Sequence, residues 1–386
     1  MGYVKGLFSG RNAFAPKEQP PLPLGLNATD KRQANRPGLK RVFFPNTRKW
    51  GSALIATEHI ATGCITETKW TIYMHIFRSL TDIQPHVAQG SCATIGNFDG
   101  VHLGHQALLR RVMDSARNSR LPSVAVTFDP HPLRVILGKT PPFITLTDQK
   151  IEIMDKLGLD YLLCLPFTRE MAGMEPEQFV LTFLIKGLNL KHLVIGYDYA
   201  FGKKRRGDFS LLQELGTKYG FTAEQIGPVQ KNGDTISSTR IRELVEQGRV
   251  HEARPLLGRW YRVVGSVVEG RNRGGRLLGF PTANLKLIDE LAPQPGVYAV
   301  WAEFQGQIHK AVANIGYNPT FGNDALSVEV HIMDFNKDIY GSELRVHFVE
   351  RLRSERKFDS LDALMEQIYQ DIASGRELLD RPANAL

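Results

Sequence analysis

A change of hydrophobic period at Gly258 constrains this chain more than any other feature of its sequence. Before it, short apolar runs alternate with segments of helical spacing. Cys92–Phe98, Ser123–Phe128, Tyr161–Leu165 and His192–Ile195 read as strands. Leu108, Leu109, Val112 and Ala116 recur at helical spacing, as do Ile151/Met154/Leu157, Phe179/Phe183/Leu184 and Leu211/Leu212/Leu215. Strands alternating with helices of this length predict βαβ units and a parallel sheet covered on both faces. After Gly258 the strands follow one another: Tyr261–Val268, Gly296–Phe304, His309–Ile315, Leu326–Ile332 and Glu343–Val349, separated by Gly, Pro and Asn turns. That pattern predicts a small β barrel or sandwich. A last helix is expected from Asp359 or Ser360, with Leu361, Leu364, Ile368 and Ile372 as its apolar stripe. The expected fold is α/β, divided into residues 74–258 and 259–386.

Residues 1–73 stand apart. They hold eleven Lys/Arg against four Asp/Glu, all six of their prolines fall between Pro16 and Pro45, and no period is sustained. Disorder is the expectation there. A basic arm, an organelle transit peptide and a true start near Met74 are all open readings. Of the chain's net charge of +8, +7 lies in this segment; the other 313 residues carry 37 basic and 36 acidic side chains. The body therefore lacks the Lys/Arg excess that attracts nucleic acid, and only residues 1–73 would provide it. Cys64, Cys92 and Cys164 are widely spaced and odd in number, which excludes a disulfide framework or a zinc site and fits a reducing cytoplasm. No uninterrupted apolar run reaches the ~18 residues of a membrane helix, and no secretory signal pattern opens the chain. A monomer or weak homo-oligomer acting on small molecules, away from membranes, is expected.

The segment Gly96-Asn-Phe-Asp-Gly-Val-His-Leu-Gly-His105 follows a strand and opens a helix. Glycines allow close approach of backbone amides, and a helix N-terminus attracts anions. His102 and His105 are three apart and share a face once the first turn forms. Two imidazoles there can donate hydrogen bonds to charge that grows as an α-phosphate is attacked and pyrophosphate leaves. Two competing motifs fail: Gly138-Lys-Thr140 lacks the first P-loop glycine, because Leu133 stands in its place, and no G-x-G-x-x-G opens the first βα turn.

This run resembles the nucleotide-binding signature of nucleotidyltransferases of the bacterial FAD synthetase type. The resemblance implies catalytic roles for His102 and His105, and nucleotide contacts for Gly96, Phe98, Asp99 and Gly104. Ile236-Ser-Ser-Thr-Arg-Ile-Arg242 is similar to that family's I-S-S-T-x-I-R element, which implies phosphate binding by Ser238, Thr239 and Arg242. Thr127-Phe-Asp-Pro-His-Pro132 resembles F-D-P-H-P, placing Asp129 and His131 near flavin and nucleotide. Gly196-Tyr-Asp-Tyr-Ala-Phe-Gly202 resembles G-x-D-F-x-F-G, with Tyr199 replacing the commoner Phe, and implies nucleotide binding by Asp198. The basic run Lys203–Arg206 behind it either screens a phosphate or is a solvated loop.

The second half has its own constellation. Gly270, Gly274, Gly275 and Gly279 precede Phe280-Pro-Thr-Ala-Asn-Leu285. A glycine-rich flap beside a hydroxyl and an amide suits ATP phosphates with Mg²⁺, which prefers oxygen ligands. The run is similar to the G-F-P-T-A-N-L motif of riboflavin kinases, and Asn314-Ile-Gly-Tyr-Asn-Pro-Thr-Phe321 also matches that family. The resemblance implies ATP binding by Gly279, Pro281, Thr282 and Asn284, with Thr282 and Asn284 on the metal. In Ser327-Val-Glu-Val-His-Ile332 the side chains alternate, so Glu329 and His331 share one face of a strand. The family's E-x-H pattern makes Glu329 the general base toward a primary alcohol. Leu352–Phe358 resembles L-R-x-E-x-K-F, which lies near the flavin there; no single residue is assigned.

Together these motifs cover about residues 74–386 and imply a bifunctional enzyme. Its fold would be a Rossmann-like nucleotidyltransferase domain followed by a six-stranded riboflavin-kinase barrel and a C-terminal helix. It would phosphorylate riboflavin to FMN with ATP, then adenylylate FMN to FAD with release of pyrophosphate, using Mg²⁺. A nucleotidyltransferase for another substrate and a non-catalytic flavin-responsive regulator are the alternatives.

Overall fold

The structure, a computed structural model, describes residues 74–231, 233–269, 280–317 and 326–386. The expectation of disorder over residues 1–73, the glycine flap with Gly279, and the stretch Asn318–Phe321 lie outside the described residues.

Six parallel strands form the first sheet: His75–Phe77 (β1), Ser91–Ile95 (β2), Ser123–Phe128 (β3), Tyr161–Leu165 (β4), Leu190–Gly196 (β5) and Thr222–Ile226 (β6). Their order across the sheet is β1-β4-β3-β2-β5-β6. Every residue of β2 is buried, as expected of a central strand with both faces covered. The connections include Leu80–Ile83 (α1), Leu103–Ser119 (α2), Pro132–Leu137 (α3), Thr147–Leu157 (α4), Arg169–Gly173 (α5), Pro176–Phe179 (α6) and Phe209–Tyr219 (α7). From β2 the chain proceeds through β3 to one side, and from β5 to β6 on the other. Ligands of open α/β sheets bind at such a reversal, outside the carboxyl ends of the strands. The helix read from Phe179, Phe183 and Leu184 is α6 running on into a π-helical segment, Val180–Gly187.

Two short strands, Gln230–Lys231 (β7) and Asp234–Thr235 (β8), lead into helices Ser238–Glu246 (α8) and Val250–Leu257 (α9). Gly258 ends α9 in the left-handed conformation, φ +74°, where glycine carries no Cβ penalty. The second sheet starts three residues later.

That sheet is a closed barrel of six antiparallel strands: Tyr261–Val268 (β9), Ala283–Lys286 (β10), Gly296–Phe304 (β11), Gln307–Tyr317 (β12), Leu326–Ile332 (β13) and Glu343–Arg353 (β14), in the order β10-β13-β12-β11-β14-β9. Closure leaves no free edge. Val263, Tyr298, Val300, Ala311, Val328, Val330 and Phe348 are among its wholly buried side chains. The helix Leu361–Leu379 (α10) starts at Ser360, whose hydroxyl accepts from Ala363 N, and docks on β11 and β12. Arg353 on β14 grips buried Asp371 of α10 through Nε and Nη2 at 2.9 and 2.7 Å.

Helices α8 and α9 share a core with the barrel. Ile241, Leu244, Val245, Leu256 and Leu257 of α8 and α9 belong to the same buried apolar cluster as the barrel interior. Beside it, the segment before α4 is stitched to the one after β10: Phe143 N donates to Asp289 O and Leu291 N to Phe143 O, both at 2.8 Å. Gln149 Nε2 donates to Glu290 at 2.9 Å, and Glu152 of α4 takes Arg262 and Arg345 of the barrel at 2.8 and 3.3 Å.

Candidate active sites

The loop between β2 and α2 is held in an uncommon shape. Phe98 and Val101 adopt positive φ, +50° and +36°, and Gly100 has φ +85°. A β-branched residue in that region is strained by about 1–3 kcal/mol and persists only where its surroundings fix it. They do so from several sides. Asp99 is buried; its carboxylate accepts from Ile144 N and Thr145 N at 3.0 and 3.1 Å and pairs with Arg242 of α8. Gly100 N donates to Thr145 Oγ1 at 2.9 Å, and Ser238 Oγ donates to the Asp99 carbonyl at 2.9 Å. Lys150 of α4 donates to the Asn97 carbonyl at 2.6 Å.

The loop delivers His102 to the N-cap of α2. Its Nδ1 accepts from His105 N at 3.3 Å, so the ring proton sits on Nε2. The two imidazoles stack with centroids 3.7 Å apart, and Phe98 meets His105 edge-on. Gly104 admits this stack: a Cβ there would lie 3.1 Å from the His102 ring. Burial first, and then the charge of Arg259, lower the His102 pKa to about 4. Burial, with His102 and Lys150 behind it, lowers His105 well below the usual imidazole range. Both rings are neutral at physiological pH. The Nδ1 of His105 is buried and has no hydrogen-bond partner.

Both rings line an open cleft of about 180 Å³ at the carboxyl ends of β2, β5 and β6. The cleft gathers His102, Gly104, His105, Asp198, Ser238 and Thr239, which sequence reasoning named, with Gly196 and Ser237. Ser237 caps α8 by accepting from Arg240 N, so backbone amides of two helix N-termini, α2 and α8, bound one space. Other named residues sit behind it. Asp99 and Arg242 hold each other, and Arg242 Nε donates to the Pro142 carbonyl. Gly96 and Phe98 are in mutual contact: a Cβ on Gly96 would lie 3.2 Å from the Phe98 ring. Asp129 is exposed before a cis bond to Pro130, and His131 caps α3 by accepting from Leu133 N at 3.2 Å.

The barrel assembles its residues by strand register. Asn284 on β10 lies directly opposite Glu329 on β13, and Glu329 in turn lies opposite Asn314 on β12. Opposed residues of antiparallel strands project to the same face, so the three form a row outside the barrel, since Val328 and Val330 fill its interior. Asn284 is 8% exposed, Glu329 is half-buried and Asn314 is exposed. His331 hydrogen-bonds through Nδ1 to the Pro281 carbonyl at 2.9 Å and meets Phe280 edge-on, fixing the entry into β10 beside Thr282. Amide and carboxylate oxygens share this face, with Thr282 immediately before β10, and such oxygens fit a hard divalent cation.

Sequence reasoning missed three contributors. Lys150 sits on the buried face of α4, where its signal was a lysine among Gln149, Ile151 and Met154. Arg259 has no local signal. Asn314 was visible in its motif, but only the register sets it beside Glu329.

Comparison with known proteins adds an independent line. The FAD synthetase family profile matches residues 84–240 and the riboflavin kinase profile residues 257–379. A bifunctional riboflavin kinase/FMN adenylyltransferase from Escherichia coli (strain K12) is 38% identical over 316 residues, spanning 80% of this chain and 100% of that protein. One from Pseudomonas fluorescens is 39% identical over 306 residues, 79% of this chain and 98% of that protein. A crystal structure described as a macrolide-efflux protein from Streptococcus pneumoniae matches with a TM-score of 0.71 at 34% identity, covering 79% of this chain and 99% of that one. That description names efflux, whereas no helix among the described residues here is long and apolar enough to cross a membrane.

Proposed function

The chain belongs to the bifunctional riboflavin kinase/FMN adenylyltransferase family, and we propose that its two reactions run on the barrel face around Glu329 and in the cleft of His102 and His105. It converts riboflavin and ATP to FMN and ADP, then FMN and a second ATP to FAD and pyrophosphate. We assign the first reaction to residues 259–386 and the second to residues 74–258.

On the barrel, Glu329 takes the proton of the ribityl 5′-hydroxyl as that oxygen attacks the γ-phosphorus and the bond to ADP breaks. A strand within a closed barrel holds this carboxylate more rigidly than a loop would. Thr282 and Asn284 are the residues that would hold Mg²⁺, which when bound neutralises phosphate charge. His331 keeps the Pro281–Asn284 segment in place through the Pro281 carbonyl.

In the cleft, a phosphate oxygen of FMN attacks the α-phosphorus of ATP and pyrophosphate leaves. His102 donates Nε2–H to the charge that develops, because its Nδ1 is occupied by the helix cap. Neutral imidazoles serve as donors without accepting a proton from solvent. Ser238 and Thr239, at the start of α8, cradle the polyphosphate with backbone amides and the Thr239 hydroxyl, the Ser238 hydroxyl being given to the Asp99 carbonyl. Asp99 and Arg242 act from behind, by fixing the loop to α8. We place the enzyme in the cytoplasm as a monomer or weak homo-oligomer.

The observation that carries this reading is the row Asn284–Glu329–Asn314 on the same chain as the capped His102/His105 pair. Purified protein with riboflavin, ATP and Mg²⁺ should yield FMN and then FAD over time by chromatography. FMN without FAD, or neither product, contradicts it.

A further inference from the structure

Arg259, the first residue beyond Gly258, reaches from the barrel side of the chain into the cleft side. Its Nη2 donates to the Gly100 carbonyl at 2.7 Å, and its Nη1 to the carbonyls of Leu257 at 3.3 Å and Val101 at 3.5 Å. Gln106 Nε2, from the first turn of α2, donates to the same Val101 and Leu257 carbonyls at 3.0 and 3.1 Å. Arg259 and Gln106 thus fasten the two residues of positive φ that immediately precede His102 to the C-terminus of α9, whose orphan carbonyls favour a cation. There is no slack at this crossing: a Cβ on Gly258 would lie 2.7 Å from Leu103. Burial lowers the guanidinium to about 9, so it remains charged at neutral pH.

We propose that Arg259 is a positioning residue for adenylyl transfer, holding the strained Gly100–Val101 turn so that His102 presents Nε2–H to the cleft. The inference rests on the assignment of His102 as the transition-state donor. A planar fork suits the role because it meets three carbonyls from one side chain; an ammonium is a point charge. The charge has a second effect. The groups that bear on His102 are His105, stacked on it from α2, and Arg259; Lys150 from α4 acts on His105, and Asp99 and Arg242 lie along the loop. Arg259 opposes protonation of His102. A proton on Nδ1 would end the cap to His105 N and turn the ring.

The test uses the full-length enzyme. Riboflavin phosphorylation and adenylyl transfer to supplied FMN are measured separately across the neutral and acidic range for wild type, Arg259→Gln, Arg259→Lys and His102→Ala. Arg259→Gln should lower kcat for adenylyl transfer about tenfold with little change in KM for ATP, since a donor is misplaced and no ground-state contact is lost. Its acid limb should move to higher pH, because His102 gains a proton more readily. Arg259→Lys should restore the acid limb but only part of kcat. Riboflavin phosphorylation should stay within about twofold in both. An unchanged kcat and acid limb in Arg259→Gln overturns the proposal, as does an equal loss of both reactions in both Arg259 variants. If His102→Ala retains adenylyl transfer, the His102 assignment itself fails; if it loses that activity while Arg259→Gln is silent, only the role of Arg259 falls.

Discussion

On the proposed assignment, the cleft and the barrel face solve one problem, holding polar groups rigidly against a polyphosphate, by opposite means. In the cleft the groups come from contiguous sequence, Gly96–His105, bent into a loop with positive φ at Phe98, Gly100 and Val101. Such a loop holds its shape only through ties from elsewhere: Thr145, Lys150, Arg242 and Arg259. On the barrel, Asn284, Glu329 and Asn314 come from three separate strands, and the backbone ladder itself fixes them. A site built from a loop is sensitive to distant tethers. A site built from register is sensitive to its own residues and little else.

The sharpest test of that contrast is Glu329→Ala. It should lower riboflavin phosphorylation by about 10³-fold, as for a lost general base, while adenylyl transfer to supplied FMN survives. Loss of both reactions would break the two-site account. His105→Ala should cost adenylyl transfer about 100-fold, as for other transition-state donors, and FMN should accumulate from riboflavin. An unchanged FAD yield would count against the stacked pair.

A third test addresses the seam between the regions. Burial raises the Glu290 carboxyl to about 7, although its Oε1 accepts from Gln149 and from Val264 N; its Oε2 is buried without a partner. A carboxyl whose folded pKa lies above its unfolded value stabilises the fold below the unfolded pKa, and that contribution is lost as pH rises through the folded value. Wild-type stability should therefore fall between about pH 4.5 and pH 7 on account of this group. Glu290→Gln should flatten that fall and stabilise the protein at pH 8 by on the order of 2 kcal/mol, read from melting temperature against pH. Parallel melting curves for both proteins would remove the seam from the argument. The smallest effect is expected on the register side. Ser360→Ala removes the cap of α10 and should cost about 1 kcal/mol of stability with both reaction rates intact.

Much of the architecture was legible without coordinates. Ser123–Phe128, Tyr161–Leu165, Tyr261–Val268, Gly296–Phe304 and Leu326–Ile332 have the same limits in sequence and structure, because each is a buried or alternating run closed by turn residues. Five strands were not read, among them the two-residue β7 and β8. β1 has only three residues, β6 is a sheet-edge strand of mixed polarity, TAEQI, and β10 hides inside a motif that reads as a loop after Pro281. The last omission matters most, since pairing of β10 with β13 is what sets Asn284 against Glu329. Among the motif residues, Asp99 and Arg242 look alike in sequence to Ser238 and Thr239, yet the first pair bind each other while the second line the cleft.

By itself the sequence determined the period of each half, the change at Gly258 and the clusters of chemically matched residues, because hydrophobic spacing, caps and short motifs act over a turn or a strand. Tertiary structure alone decided which of those residues meet. The tie from Arg259 to Gly100 spans 159 positions, that from Arg242 to Asp99 spans 143, and the row at Glu329 needs three strands in register. Such contacts depend on how the whole chain closes and packs, and no local pattern encodes them.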